Sequence, residues 1–262
     1  MTSKTMNNKA SVSNSRNKHS YSQYNVPEYL EKNYWWAYLS PIGVKFFDHP
    51  FIVNRILWGQ YQKVAQTVVT ELANNANDKA CTDEQVISGI SCAYGNFIPM
   101  MANQLNAKTI NLFDVAEIQL AQAKKKIAAL PQFKCFNLFL ANAENIPLAS
   151  NSTDSTVLFY LLHELPANVR NNVLNEAIRI TKPGGRIIVA DYAPLSTKHW
   201  FHRFKGFRKI FEKMEPFLAN FWRCNLHQTF KQTAQLNGKS IKLNKQTFIW
   251  HDFYQVSEYY IE

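Results

Sequence analysis

A chain of 262 residues that is 46% hydrophobic and 18% charged can bury a full core, enough for one domain with additions. Its formal charge of +10 favours an anionic surface or ligand; nucleic acid and anionic lipid both fit that sign. Cys81, Cys92, Cys135 and Cys224 lack C-x-x-C spacing, which argues against a zinc module or a secreted disulfide framework and fits a reducing compartment. No apolar run reaches the roughly 18 residues that would span a bilayer.

Residues 1–26 are rich in Ser, Asn and Lys and hold no acid, so a disordered, solvated tail is expected. A mitochondrial transit peptide is the alternative, although Arg16 is its one arginine and apolar residues are few. Residues 27–80 read as a helical extension or lid with an aromatic bias, punctuated by Pro41 and Pro50. From 81 to 262 strand-like runs alternate with helical patterns: QVISGI, a helix over 97–106, TINLFDV, a helix over 116–129, FKCFNLFLAN, STVLFYLL, a helix over 166–180, and RIIVADY. That alternation predicts βαβ units and a parallel sheet covered on both faces, a doubly wound α/β fold. A basic aromatic stretch, a helix near Leu218–Leu236 and the strands KSIKLNKQTFIW and YQVSEYYI close the chain.

Ligands in such sheets bind beyond the carboxyl ends of the strands, near the switch in strand order. Asp114 ends one strand; an acid there can accept hydrogen bonds from both hydroxyls of a ribose, cap the next helix, or do both. LANAENIPL resembles the loop after the third strand in SAM (S-adenosylmethionine) enzymes, which implies that Asn142 and Ala143 contact adenine; an ordinary polar loop is the alternative. The Pro-Gly-Gly turn of TKPGGRIIVADY supports the fold of those enzymes more than their chemistry. In LLHELP, His163 and Glu164 follow an apolar strand, and Asp191 ends its neighbour. Together they could ligate Mn²⁺ or Mg²⁺ or serve as acid and base, provided the strand has already ended so that adjacent residues share a side.

Residues 198–223 place Trp200, Phe204, Phe207, Phe211, Met214, Phe221 and others at helical spacing among Arg203, Lys205, Arg208, Lys209 and Lys213. A membrane-facing amphipathic segment is expected, with breaks at Gly206 and Pro216; a helix packed on the core is the alternative.

The blocks YWWAYLSPIGVKFFDHPFIVNRILWGQY, SCAYGNFIPMMANQL, LFYLLHELP and KPGGRIIVADY together resemble the RquA family of rhodoquinone-biosynthesis proteins, from about Pro27 to the end of the sequence. The resemblance implies a class I SAM-methyltransferase-like (Rossmann-like) doubly wound sheet with an N-terminal helical aromatic extension. It implies conversion of ubiquinone to rhodoquinone, a ring methoxy group being replaced by an amino group with SAM as donor and Mn²⁺ in support. Tyr94 and Gly95, Asp114, His163 with Glu164, and Asp191 with Tyr192 match the family's motifs, whereas relatives often carry Asp in place of Asn142. Methyltransferases at large have an acid and three glycines where this chain, aligned back from Gly95, reads Gly89, Ser91, Ala93 and Gly95. An absent acid would leave the amine of SAM less biased toward its unreactive ammonium form. These residues are the expected SAM contacts. His163, Glu164, Asp191 and Tyr94 are the expected catalytic set, and His163, Glu164 and Asp191 the expected metal ligands.

The implied partners are ubiquinone and a membrane surface, with possible association with quinone-biosynthesis proteins and no nucleic acid. The implied place is the cytoplasmic face of a bacterial inner membrane, or the matrix side of the mitochondrial one. A conventional methyltransferase acting on a quinone or lipid, and a non-catalytic lipid-binding protein of the same fold, are the rival readings.

Overall fold

The computed structural model describes residues 26–74, 85–128 and 130–262. The tail over residues 1–25 and Cys81 lie outside the described residues, and the three described cysteines are free thiols.

Short helices come first: α1 (Glu28–Asn33), α2 (Trp35–Tyr38), α3 (Pro41–Phe47) and α4 (Pro50–Ile56), then the longer α5 (Tyr61–Ala73). Pro41 and Pro50 each occupy the first turn of a helix, where the missing N–H costs nothing and the fixed φ suits the helix. The alternating core follows as β1 (Val86–Ile90), α6 (Phe97–Gln104), β2 (Thr109–Asp114), α7 (Glu117–Ile127), β3 (Phe136–Leu140), β4 (Thr153–Phe159), α8 (Ala167–Ile180) and β5 (Thr181–Tyr192). Then come α9 (Trp200–Arg203), α10 (Lys205–Met214), α11 (Leu218–Arg223), α12 (Leu226–Leu236), β6 (Ile241–Ile249) and β7 (Tyr254–Ile261).

The seven strands form one sheet in the order β3-β2-β1-β4-β5-β7-β6. Strands β1 to β5 pair in parallel, whereas β7 runs against both β5 and β6. The reversal follows from chain length: only Trp250–Phe253 join β6 to β7, enough for a hairpin and far too few for a crossover helix. Three residues of that turn, Trp250, His251 and Asp252, take positive φ. Central strands β1, β4 and β5 are buried on both faces, which explains their near-continuous apolar sequences.

The helical extension divides in two. Helix α5 turns Val64, Ala65, Val68 and Leu72 into the main core against the sheet, while α1 to α4 lie across the carboxyl ends of the strands. Residues 198–223 also divide. Phe201, Leu218, Phe221 and Trp222 are core residues, so the segment does not face solvent as one stripe; α10 alone buries no side chain. The break between α9 and α10 falls at the extended residue Phe204, and Gly206 lies inside the first turn of α10. Pro216 ends α10 because the residue before a proline, here Glu215, is pushed out of the helical region.

Candidate active site

Strand order reverses between β1 and β4, and a cavity of about 280 Å³ opens just beyond their carboxyl ends. That is near the lower end of the roughly 300–1,000 Å³ typical of small-molecule sites. Its floor comes from residues at the carboxyl ends of β2, β4 and β5 and from those that follow β1, β2, β3 and β4, and its roof from α1 to α4. Of the expected site residues, Ser91, Ala93, Tyr94, Asp114, Asn142, Ala143, His163 and Glu164 line it.

Gly89 and Gly95 do not line the cavity. Gly89 is buried within β1, paired with Leu112 and Val157; a side chain there would start 2.9 Å from the Leu112 Cδ2 methyl. Gly95 has φ +77°, and a Cβ would fall 2.7 Å from the Tyr61 hydroxyl. Its role is close approach and turn geometry. Ser91 adopts φ +85°, a conformation that favours glycine, so this loop holds local strain of roughly 1 kcal/mol or more.

The roof is latched to the loop. The Gly95 N–H donates to Asp48 Oδ1 at 3.0 Å, and Asp48 also pairs with Lys126. The Tyr61 hydroxyl donates to the Tyr94 carbonyl at 2.7 Å and accepts from the Phe97 N–H at 2.9 Å. The Tyr94 hydroxyl donates to the Ala37 carbonyl at 2.6 Å while Gln119 donates to it at 2.7 Å, and the Tyr94 ring stacks on Tyr38 at 5.2 Å.

Asp114 accepts from the Cys92 N–H through Oδ2 and from the Ala116 N–H through Oδ1, both at 2.9 Å. It therefore fixes the loop and the start of α7 while its carboxylate remains on the cavity wall. Burial pushes its pKa up to about 6 against the pull of those N–H groups, so it is ionised at neutral pH. Asn142 turns its own loop, its Oδ1 accepting from the Glu144 N–H at 2.9 Å.

Beyond β4 the chain leaves the sheet at Phe159, takes positive φ at Tyr160, and makes a single tight turn over Leu162–Glu164. With the strand ended, His163 and Glu164 both reach the cavity. Asp191, buried at the end of β5, takes the Leu162 and His163 N–H groups on Oδ2 at 3.0 and 3.3 Å and the Tyr192 N–H on Oδ1 at 2.7 Å. The same Oδ1 stands 2.8 Å from His163 Nδ1, leaving Nε2 3.8 Å from Glu164 Oε1. Burial opposes charge on His163, but the Asp191 carboxylate, with Glu164 and Glu215 behind it, outweighs that and lifts the imidazole to about 9. Burial likewise pushes Glu164 up, to about 8, although the imidazolium and the Tyr38 hydroxyl draw it back. Tyr34 donates to Glu215 Oε2 at 3.0 Å, and burial raises Glu215 as well.

Tyr34, Tyr38 and Glu215 are site residues that sequence reasoning missed. They come from the roof and from the end of α10, and their one signal was the aromatic density of residues 29–38 and the acid ahead of Pro216.

This geometry meets the two groups implied by the resemblance differently. An adenosyl group fits: an ionised carboxylate, Asp114, and the Asn142–Ala143 loop share one wall of an aromatic-lined cavity. A metal ion does not fit. Among the described residues no three His, Cys, Asp or Glu side chains are grouped to hold one. Asp191, expected as a ligand, is spent on three backbone N–H groups and His163, and Glu164 accepts from Tyr38. Asp191 therefore stands as the ion-pair partner of the imidazole, 2.8 Å from its Nδ1, with its oxygens otherwise taken up by backbone N–H groups.

The sheet order and the cavity at its switch point define a class I SAM-methyltransferase-like fold. Residues 89–189 match the family model described as methyltransferase domain. The chain is similar to a demethylmenaquinone methyltransferase of Desulfitobacterium hafniense, 27% identical over 165 residues that make up 63% of this chain and 59% of the relative. It is also similar to a ubiquinone/menaquinone biosynthesis C-methyltransferase of Rickettsia bellii, 32% identical over 104 residues, 39% of this chain and 41% of the relative. The chain thus spans about half the length of these relatives. Among solved structures, the methyltransferase domain of bacterial CtHen1 superposes with a TM-score of 0.55 at 19% identity, covering 76% of this chain and 98% of that one. Mitomycin 7-O-methyltransferase gives 0.59 at 11% identity, covering 85% and 58%. At such identities the structural likeness speaks to fold alone.

Proposed function

We propose that this chain is a SAM-dependent transferase acting on a quinone, and that it replaces a ring methoxy group of ubiquinone with the α-amine of SAM to give rhodoquinone. The observation that carries the reading is the cavity's chemistry. A charged imidazole, held by Asp191, faces the same space as a ribose-binding acid, under a roof of aromatic rings suited to a flat, apolar ring. The relatives' names supply the substrate class, and the loop supplies the departure from methyl transfer: Ser91 and Ala93 line the cavity where glycines would leave more room.

The exchange balances without a metal. Ubiquinone, SAM and water give the aminated hydroquinone, methanol, a proton and the 2-oxo acid derived from the methionine moiety. The quinone itself accepts the two electrons released when the nitrogen leaves its α-carbon. The protein's part is positional. At neutral pH His163 Nε2 carries a proton and donates to a quinone carbonyl, which draws electrons from the methoxy-bearing carbon. Glu164, which burial raises to about 8, is the acid–base group beside the amine: its ionised fraction at neutral pH takes the amine's proton, and the protonated carboxyl returns it. Asp114 and Asn142 fix the adenosyl end, so that the amine meets the ring as a neighbour rather than by diffusion. For the place of this work we propose the membrane that holds the quinone pool, at the cytoplasmic face of a bacterial inner membrane or at the matrix side of the mitochondrial one.

The match to methyltransferases favours one other reading, methyl transfer to a quinone. Labelling separates the two. With SAM labelled by ¹⁵N at its α-amine, the label is expected in the quinone ring, together with one methanol per turnover. Methyl carbon of SAM in the product, with no ¹⁵N, would establish the methyltransferase reading instead.

A further inference from the structure

We infer that one face of the molecule, formed by α2 to α4 and α10, docks on an anionic lipid bilayer and that the cavity opens onto that face. Helix α10 is the first observation. It buries no side chain, yet Phe207, Ile210 and Met214 stand at helical spacing on its exposed side, Ile210 61% and Met214 64% exposed. Lys205, Lys209 and Lys213 run four residues apart along the same exposed helix, and its one acid, Glu212, is tied to Arg208 at 3.3 Å.

The second observation comes from the other end of the chain. Among residues 35–58, Ile42 is 84% and Phe51 67% exposed, with Trp35, Phe46 and Trp58 also open to solvent. The one acid of that stretch, Asp48, is buried against Lys126, whereas Lys45 and Arg55 are exposed. Leaving this many large apolar groups in water is costly at roughly 25 cal/mol per Å², and concentrations of exposed apolar groups mark interaction surfaces. Ring contacts tie the two halves together through the buried Phe201: Trp58 packs on Phe201 at 6.2 Å, Phe201 on Trp200 at 5.8 Å, and Trp200 on Phe207 at 5.9 Å.

The cavity settles which way the face is used. Trp36, Ile56 and Met214 line it and are themselves exposed, so they form its mouth, and all three belong to these helices. Charge complementarity selects the occupant: apolar rings flanked by unpaired lysines suit acyl chains beneath anionic headgroups. Among the described residues no helix is long and apolar enough to cross a membrane. A substrate dissolved in the bilayer would enter through this mouth without passing through water. That last step rests on the proposed function; the docking itself does not.

The test uses the full chain with no quinone or SAM present, so it succeeds or fails apart from the reaction. Wild-type protein is expected to co-sediment with vesicles of mixed phosphatidylcholine and phosphatidylglycerol and far less with phosphatidylcholine alone. Each lysine near such a surface is worth about fivefold in partitioning, so Lys205→Gln, Lys209→Gln and Lys213→Gln together should weaken binding about 100-fold. Phe207→Glu with Ile210→Glu, and separately Ile42→Glu with Phe46→Glu, should each weaken it about tenfold or more while leaving the melting temperature unchanged. These side chains are exposed, so folding survives their change. Wild-type binding by all three variants would overturn the inference. So would a stable dimer in solution that the glutamate variants dissociate, since the face would then belong to a second copy of the chain.

Discussion

Replacing His163 with asparagine removes a buried titration whose size the structure sets. The imidazole lies beside the buried Asp191 carboxylate at 2.8 Å and is raised from 6.5 to about 9 despite burial. A shift of that size amounts to about 3 kcal/mol of preference for the protonated native state. Because the native value is the higher one, this stabilisation is fully present below pH 6.5 and is lost as pH climbs through about 9. Glu164 titrates in an overlapping range, being raised to about 8, and the charge on His163 is one of the things that holds it down. The comparison is therefore best made in a Glu164→Gln background. Urea unfolding of Glu164→Gln should show about 2–3 kcal/mol more stability at about pH 6 than at about pH 10, beyond whatever change Glu164→Gln/His163→Asn shows. Equal changes in the two proteins would mean that His163 is neutral in the native cavity. The assignment of Nε2 as a proton donor to the quinone would then fail.

Asp114→Asn should weaken SAM binding by about tenfold or more, since it exchanges a charge-assisted acceptor for a neutral amide. In the wild type, SAM affinity should fall as pH drops through about 6, where Asp114 gains its proton; calorimetric titration at about pH 5 and about pH 7.5 reads both effects. Gly95→Ala should lower stability by about 1–3 kcal/mol or more in urea melts, because φ +77° and the Tyr61 hydroxyl 2.7 Å from the new Cβ both resist a side chain. An unchanged midpoint would show that the latch between roof and loop has slack.

Much of the fold could be read along the chain because it is written in local periodicity. VISGI, TINLFD and RIIVADY are apolar runs of strand length between helical patterns, and buried parallel strands require them. The reversed β7 was legible only in the shortness of Trp250–Phe253. The basic stretch misled in part, since helical spacing records which residues share a face and not what that face meets: Phe201 and Trp222 meet the core, while Phe207 and Ile210 meet solvent.

The sequence by itself determined which side chains end the strands, and hence that Asp114, Asn142, His163 and Glu164 come to one edge of the sheet. A strand's carboxyl end is a local property, and the α/β topology gathers such ends together. Only the tertiary structure decided what those side chains do. Asp191 spends its carboxylate on three backbone N–H groups and His163, so the expected metal ligand is a holder of the imidazole. Glu164 meets Tyr38 across 126 positions of chain, and Glu215 meets Tyr34 across 181. Partnerships at such separations leave no periodic trace. They arise when the roof helices settle over the sheet, where burial makes each unpaired polar atom costly and so selects its partner.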